Sequence, residues 1–156
     1  MLKYVDVMET FSEVPDEITL AINLSNCPHK CRNCHSSYLQ KDIGNELTIL
    51  ALSILIEEHK GISCVAFLGG DNDCKSLLKL VRFIKTHYNL KVCWYTGFDE
   101  VPFNLFPFNS LFLWLDYIKI GSYKEEFGPL NNPNTNQRFW KRENDIWTDI
   151  TYKFQK

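Results

Sequence analysis

The chain has no long apolar run, no excess of charge of one sign and no second cysteine cluster. No segment approaches the roughly 20 continuous apolar residues of a membrane span, so no membrane association is expected. With 17 basic and 19 acidic residues the net charge is −2. That balance argues against a nucleic acid or an anionic membrane surface as partner. Met1–Asp6 has neither the apolar core nor the small-residue cleavage site of a signal peptide, and a cytoplasmic protein is the expectation. Repeats, low-complexity tracts and long linkers are also missing, so residues 1–156 are expected to form a single domain. Hydrophobic residues at 45% and aromatics at 14% suffice for a sizeable core.

What the chain does have is six cysteines: Cys27, Cys31, Cys34, Cys64, Cys74 and Cys93. In a small secreted protein six would point to three disulfides. A longer chain with its own apolar core points instead to metal or redox chemistry in a reducing compartment. Cys64 and Cys93 lie inside apolar runs and Cys74 opens a helical pattern, so all three are expected to be structural thiols. The others share one loop, Cys27-Pro28-His29-Lys30-Cys31-Arg32-Asn33-Cys34, with the spacing C-x3-C-x2-C. Three thiolates so close can converge on one metal centre, yet zinc and a four-iron cluster both usually take four protein ligands. A Cys3His zinc site would have to recruit His29 or His35. His29 lies inside the loop and His35 adjoins Cys34, which is awkward for closing a tetrahedron. A four-iron, four-sulfur cluster on three thiolates leaves one iron open to bind and reduce a small molecule. The residues alone favour the open cluster and leave zinc as the alternative.

The surrounding pattern alternates strands and helices. Thr19–Leu24 reads as a strand, followed by the cysteine loop. A helix is expected over 47–58, with Leu47, Leu50, Ala51, Ile54 and Leu55 on its apolar face and Gly61 placed to stop it. The apolar run Ile62–Leu68 reads as a buried strand ending in Gly69-Gly70-Asp71. A second helix follows near Cys74 to Tyr88, its apolar face being Leu77, Leu78, Val81 and Ile84. Lys91–Thr96 is a third strand ending at Gly97, and Asp116–Gly121 a fourth. Residues 131–136 read as an irregular loop, and 145–154 as a terminal hairpin or strand. This rhythm predicts an α/β fold, either a partial parallel (β/α) barrel or an open parallel sheet. Ligands gather at the carboxyl ends of such strands, where the cysteine loop, Gly69–Asp71 and Thr96-Gly97 all fall. One shared site is expected.

The C-x3-C-x2-C spacing resembles the signature of radical S-adenosylmethionine enzymes. The ordered series Cys27-Pro28-His29-Lys30-Cys31 with Cys34-His35, Phe67–Asp71, Trp94–Gly97, Asp116–Gly121 and Thr135-Asn136-Gln137-Arg138 is more specific. It resembles the activating proteins of anaerobic (class III) ribonucleoside-triphosphate reductases, from about Tyr4 to Phe154. The resemblance implies a [4Fe-4S] cluster on Cys27, Cys31 and Cys34, whose open iron is chelated by S-adenosylmethionine. It further implies reductive cleavage to a 5′-deoxyadenosyl radical, which takes a hydrogen from a glycine of the large catalytic subunit of the reductase. A flavodoxin-like donor would supply the electron.

Cofactor contacts are implied for His35, Gly69, Gly70, Asp71, Tyr95, Thr96 and Lys119. Among these, two glycines allow close backbone approach, and the Asp71 carboxylate can accept from the ammonium of the methionine. Tyr95 and Thr96 would wall the nucleoside pocket. Lys119 interrupts an apolar strand and either points outward or meets the methionine carboxylate. Asn136, Gln137 and Arg138 read as a surface cap or as a partner-facing rim. The sequence departs from the family in Phe11–Glu17, which lacks the usual glycines, and at Asn33, where an aromatic is common. Two rival functions remain: radical chemistry on another glycyl-radical enzyme or on a small molecule, such as the pterin of short deazaguanine-pathway enzymes, and a zinc-binding interaction domain.

Overall fold

Four parallel strands form the centre of an open, mixed sheet with antiparallel strands at both flanks. The computed structural model describes residues 1–32, 34 and 36–155. In chain order the elements are β1 (Lys3–Thr10), β2 (Thr19–Leu24), β3 (Asn45–Glu46), α1 (Ile49–Glu58), β4 (Cys64–Leu68), α2 (Cys74–His87) and β5 (Lys91–Tyr95). They are followed by α3 (Phe108–Trp114), β6 (Tyr117–Ile120), β7 (Arg138–Glu143) and β8 (Ile146–Asp149). Among the described residues, eight strands lie in the order β3-β1-β2-β4-β5-β6-β7-β8. The parallel set is β2, β4, β5 and β6, joined through α1, α2 and α3.

Each crossover adds the next strand on the same side. Right-handed connections then place all three helices on one face. The packing agrees: Leu52 and Ile56 of α1, Leu77 and Val81 of α2 and Leu111 of α3 share one core with Ile22, Phe67, Trp94 and Ile118 of the sheet. Alternation turns Cys64, Ala66, Cys93 and Tyr117 to the opposite face. No helix covers that face among the described residues. Val14, Leu130 and Ile150, from irregular segments, and Phe154, from a 3-10 turn, pack on it instead. Because these covers are loops, the sheet's carboxyl edge is left partly open on this side.

The structure corrects three expectations. The sheet is mixed, because β1, β3, β7 and β8 pair antiparallel around the parallel centre. The first helix starts at Ile49, capped by Thr48, whose hydroxyl accepts from Ala51 N at 3.0 Å. Its buried face is Leu52 and Ile56, while Leu50 is 69% and Ile54 48% exposed. That helix, ILALSILIEE, is apolar nearly all round, so its periodicity carries no phase. The terminal segment 145–154 supplies one strand, β8, and a 3-10 turn at Thr151–Phe154; the hairpin partner of β8 is β7, which precedes that segment. No helix among the described residues is long and apolar enough to cross a membrane.

Candidate metal centre and ligand cleft

The loop from β2 to β3 carries the cysteines and is closed on itself at its base. Asn26 N donates to Lys41 O at 3.0 Å, and Cys27 N to Leu39 O at 2.9 Å. Asn26 and Lys30 adopt left-handed backbone, φ 61° and 50°. This is tolerable for Asn and costs a lysine about 1–2 kcal/mol, so the loop holds strain at the site. Burial pushes the Cys27 thiol up, and backbone hydrogen bonds from His29 and Lys30 oppose that by favouring the thiolate.

Cys27, Cys31 and Cys34 are half-buried and line one cleft of about 630 Å³ at the carboxyl ends of the parallel strands. The cleft is floored by a row in register across the sheet: Asn23, Leu68, Tyr95 and Lys119. The other three cysteines do not line it. Cys64 and Cys93 are fully buried in the core and Cys74 is nearly so. Burial holds the Cys64 and Cys93 thiols well above their ordinary range and pushes Cys74 up to about 12. The division expected from sequence, three structural thiols and three in a loop, is the division seen in space.

Gly69 and Gly70 turn the chain off β4 with φ of +114° and +96°. A Cβ on Gly69 would sit 3.1 Å from Leu24 O, so the turn has neither the backbone conformation nor the room for a side chain. Trp94 Nε1 donates to Gly69 O at 2.9 Å and fixes this turn to β5. Asp71 follows, with a side chain only 2% exposed. Its Oδ2 accepts from Thr96 Oγ1 at 2.8 Å, from Gly97 N at 2.9 Å and from His29 Nε2. Among the described residues its Oδ1 is buried without a hydrogen-bond partner. A buried carboxylate oxygen left unmet is costly. Asp71 lines the cleft, and a cationic ligand group there would satisfy the oxygen.

Lys119 faces the cleft side of the sheet and is 8% exposed, so the outward alternative does not hold. Its Nζ donates to Thr96 O at 2.9 Å and Gly121 O at 3.0 Å, and lies 5.6 Å from the Tyr95 ring. Burial pushes its ammonium down to about 8. Tyr95 and Thr96 both line the cleft, but their polar atoms serve the protein. Tyr95 OH donates to Glu13 O, and Thr96 Oγ1 is committed to Asp71 and to Phe98 N.

Thr135–Gln137 braces the loop after β6 rather than forming a free surface cap. Thr135 Oγ1 donates to Gly128 O at 3.1 Å, Asn136 Nδ2 to Ser122 O at 3.0 Å and Gln137 Nε2 to Gly121 O at 3.4 Å. Arg138 pairs with Asp149 at 2.9 Å. His35 lies outside the described residues. Two lining residues were missed or given another role in sequence. Glu13, whose carboxyl burial pushes up, comes from the glycine-free stretch. His29 was legible only as a possible metal ligand, whereas its ring is turned to Asp71.

A family model described as a 4Fe-4S single cluster domain matches residues 18–139, most of the chain. The chain belongs to that four-iron cluster family. No match was found among curated proteins or among solved structures. Thiolates are the donors such clusters take. The cysteines that reach the cleft fit this family, and the buried ones are sealed from it. Among the described residues no three His, Cys, Asp or Glu side chains are gathered as ligands of a single metal ion.

Proposed function

We propose that this iron–sulfur protein is a radical S-adenosylmethionine activase that installs a glycyl radical on an anaerobic ribonucleoside-triphosphate reductase. One observation carries the reading. Three thiols line the same cleft as a buried carboxylate, one oxygen of which has no partner among the described residues. Cys27, Cys31 and Cys34 would hold three irons of the cluster and leave the fourth for the ligand. When bound, the cluster would supply the electron for reductive cleavage of the S-adenosylmethionine sulfonium, with methionine as the leaving group and the hydrogen-abstracting chemistry on the deoxyadenosyl side. Asp71 Oδ1 would accept from the methionine ammonium, and the Lys119 ammonium would offset the carboxylate. Gly69 and Gly70 let backbone pass close to the ligand.

The cleft is partly open to solvent, so the reductase subunit itself would complete the water-excluding wall. The electron would come from a flavodoxin-like donor in the cytoplasm, where thiols are kept reduced. The order Gly-Gly-Asp, Thr-Gly and Thr-Asn-Gln-Arg supports the reductase activase over a small-molecule enzyme. Zinc is the weaker reading, since the family is that of a four-iron cluster. After anaerobic reconstitution with iron and sulfide, the reduced protein should release 5′-deoxyadenosine from S-adenosylmethionine. With the reductase subunit added, a glycyl radical signal should appear. Deoxyadenosine without that signal, but with turnover of a pterin, would favour the small-molecule enzyme. No deoxyadenosine at all would end the radical reading.

A further inference from the structure

His29 grows from the middle of the cysteine loop, yet its side-chain contacts are with the opposite wall. Its Nε2–H donates to Asp71 Oδ2. Its ring meets Phe98 edge-on, with centroids 5.0 Å apart at 90°. It also fills the space over Gly97, where a Cβ would lie 2.6 Å from His29 Cδ2. Gly97 is not in the left-handed region, so glycine is needed there for room rather than for backbone conformation. The bonds at the base of the loop, from Asn26 and Cys27, run to Lys41 and Leu39. They close the loop on its own far limb and do not reach the ends of β4 or β5. The His29 contact does.

The same contact divides Asp71 into two halves. Oδ2 holds three donors, from His29, Thr96 and Gly97, while buried Oδ1 holds none among the described residues. A carboxylate gripped so fully at one oxygen cannot rotate freely about its terminal bond, so the other oxygen keeps its direction.

We propose that His29 is a positioning residue that docks the Cys27–Cys34 loop onto the Gly69–Asp71 and Thr96-Gly97 turns and thereby keeps Asp71 Oδ1 turned to a cationic ligand group. The identity of that ligand rests on the S-adenosylmethionine reading; the docking does not. His29 sets the distance between whatever the loop cysteines hold and whatever Asp71 binds, much as outer-shell partners orient metal sites. Gly97 is the complementary half of the device, because it leaves the seat for the ring.

The test is a double-mutant cycle on the full chain: His29→Ala, Gly97→Ala, both together, and His29→Gln. In reconstituted protein, affinity for S-adenosylmethionine is read from the ligand-dependent spin-resonance change. His29→Ala should weaken it about 10- to 100-fold, the usual cost of losing an outer-shell partner, with iron content kept. Gly97→Ala should do the same by evicting the ring. The double variant should lose no more than either single, because both break one contact. Glutamine, whose amide N–H can reach Asp71, should recover part of the loss. Wild-type affinity in His29→Ala, or losses that multiply in the double variant, would overturn the proposal. In apo protein the backbone amides of Cys27 and of residues 29–32 should exchange about tenfold faster or more in His29→Ala, from the loss of a hydrogen bond to a charged group. Unchanged exchange would overturn the docking. If the wild type gave no ligand-dependent signal, the S-adenosylmethionine reading would fall. The exchange measurement would still decide the docking.

Discussion

Glu17 and Asp71 are both buried carboxylates, set at opposite ends of the same parallel strands, and only one of them is finished. Glu17 lies at the amino ends with a side chain 7% exposed. Its Oε1 accepts from Ser63 Oγ at 2.7 Å, and its Oε2 from Tyr117 OH at 2.6 Å, with Lys91 Nζ at 3.3 Å. Every oxygen is met by residues from the starts of β4, β5 and β6, so the charge ties strands together. Burial, with the Glu17 bond adding to it, pushes the Tyr117 phenol above its usual range and keeps it a donor. Asp71 at the carboxyl ends has three donors on one oxygen and none among the described residues on the other. Burial of a charge is thus no sign of function by itself; what singles out Asp71 is that a residue lining the cleft keeps a buried oxygen without a partner among the described residues.

The largest effect should come from the cysteines that separate the two ends. Alanine at Cys27, Cys31 or Cys34 should drop reconstituted iron to background, whereas Cys93→Ala should keep full iron and lose only stability. Iron lost equally from all four variants would erase the contrast between cleft and core thiols.

Asp71→Asn and Glu17→Ala should then fail in opposite ways. In Asp71→Asn the one remaining side-chain oxygen can still take the three donors, but the new amide would face a cationic ligand. Affinity for S-adenosylmethionine should fall about 10- to 100-fold, the worth of a hydrogen bond to a charged group, with little change in melting temperature. Glu17→Ala strands the Tyr117 hydroxyl, leaves Ser63 Oγ only its bonds to Ile18, and should cost about 2 kcal/mol. That lowers the melting temperature by roughly 4–8 °C for a chain of this size and leaves ligand affinity alone. A melting loss in the first and an affinity loss in the second would invert the comparison.

Lys119 sharpens it through pH. Its folded pKa, about 8, is depressed below the ordinary 10.5. Below pH 8 both folded and unfolded chains are protonated there, and the folded state bears the full cost of the buried ammonium. Between about pH 8 and 10.5 the unfolded chain binds more protons, so this group's contribution to stability rises with pH, by at most about 1.4 kcal/mol per unit. Denaturant titrations of wild type and Lys119→Met across that window should differ by this slope. Parallel curves would mean that the lysine is not buried as described. The smallest effect belongs to Arg138→Ala, whose half-exposed pair with Asp149 should be worth under about 1 kcal/mol and should not touch iron content.

The loop spacing was legible in sequence because its residues are neighbours along the chain, and so was the strand–helix rhythm that puts three turns at one edge. The second helix showed its face plainly, since charged residues interrupt its apolar stripe. The first did not, because Leu50 and Ile54 are as apolar as the residues that are buried. α3 lies in an aromatic run without polar spacing, and β1 joins the sheet antiparallel across a partner that sequence cannot name. The unequal oxygens of Asp71 were beyond sequence, since His29 lies 42 residues from it and Thr96 lies 25. Thr135–Gln137 is likewise a brace only because the loop after β6 folds back on it.

The central claim is that the three-cysteine site is built one ligand short beside Asp71. It is tested most directly by spin-resonance spectra of the reduced, reconstituted protein, with its iron counted, before and after S-adenosylmethionine is added. The account predicts about four irons per chain and a spectrum that changes on addition of the ligand. A spectrum indifferent to the ligand, or a protein that takes up one zinc and no sulfide, would contradict it.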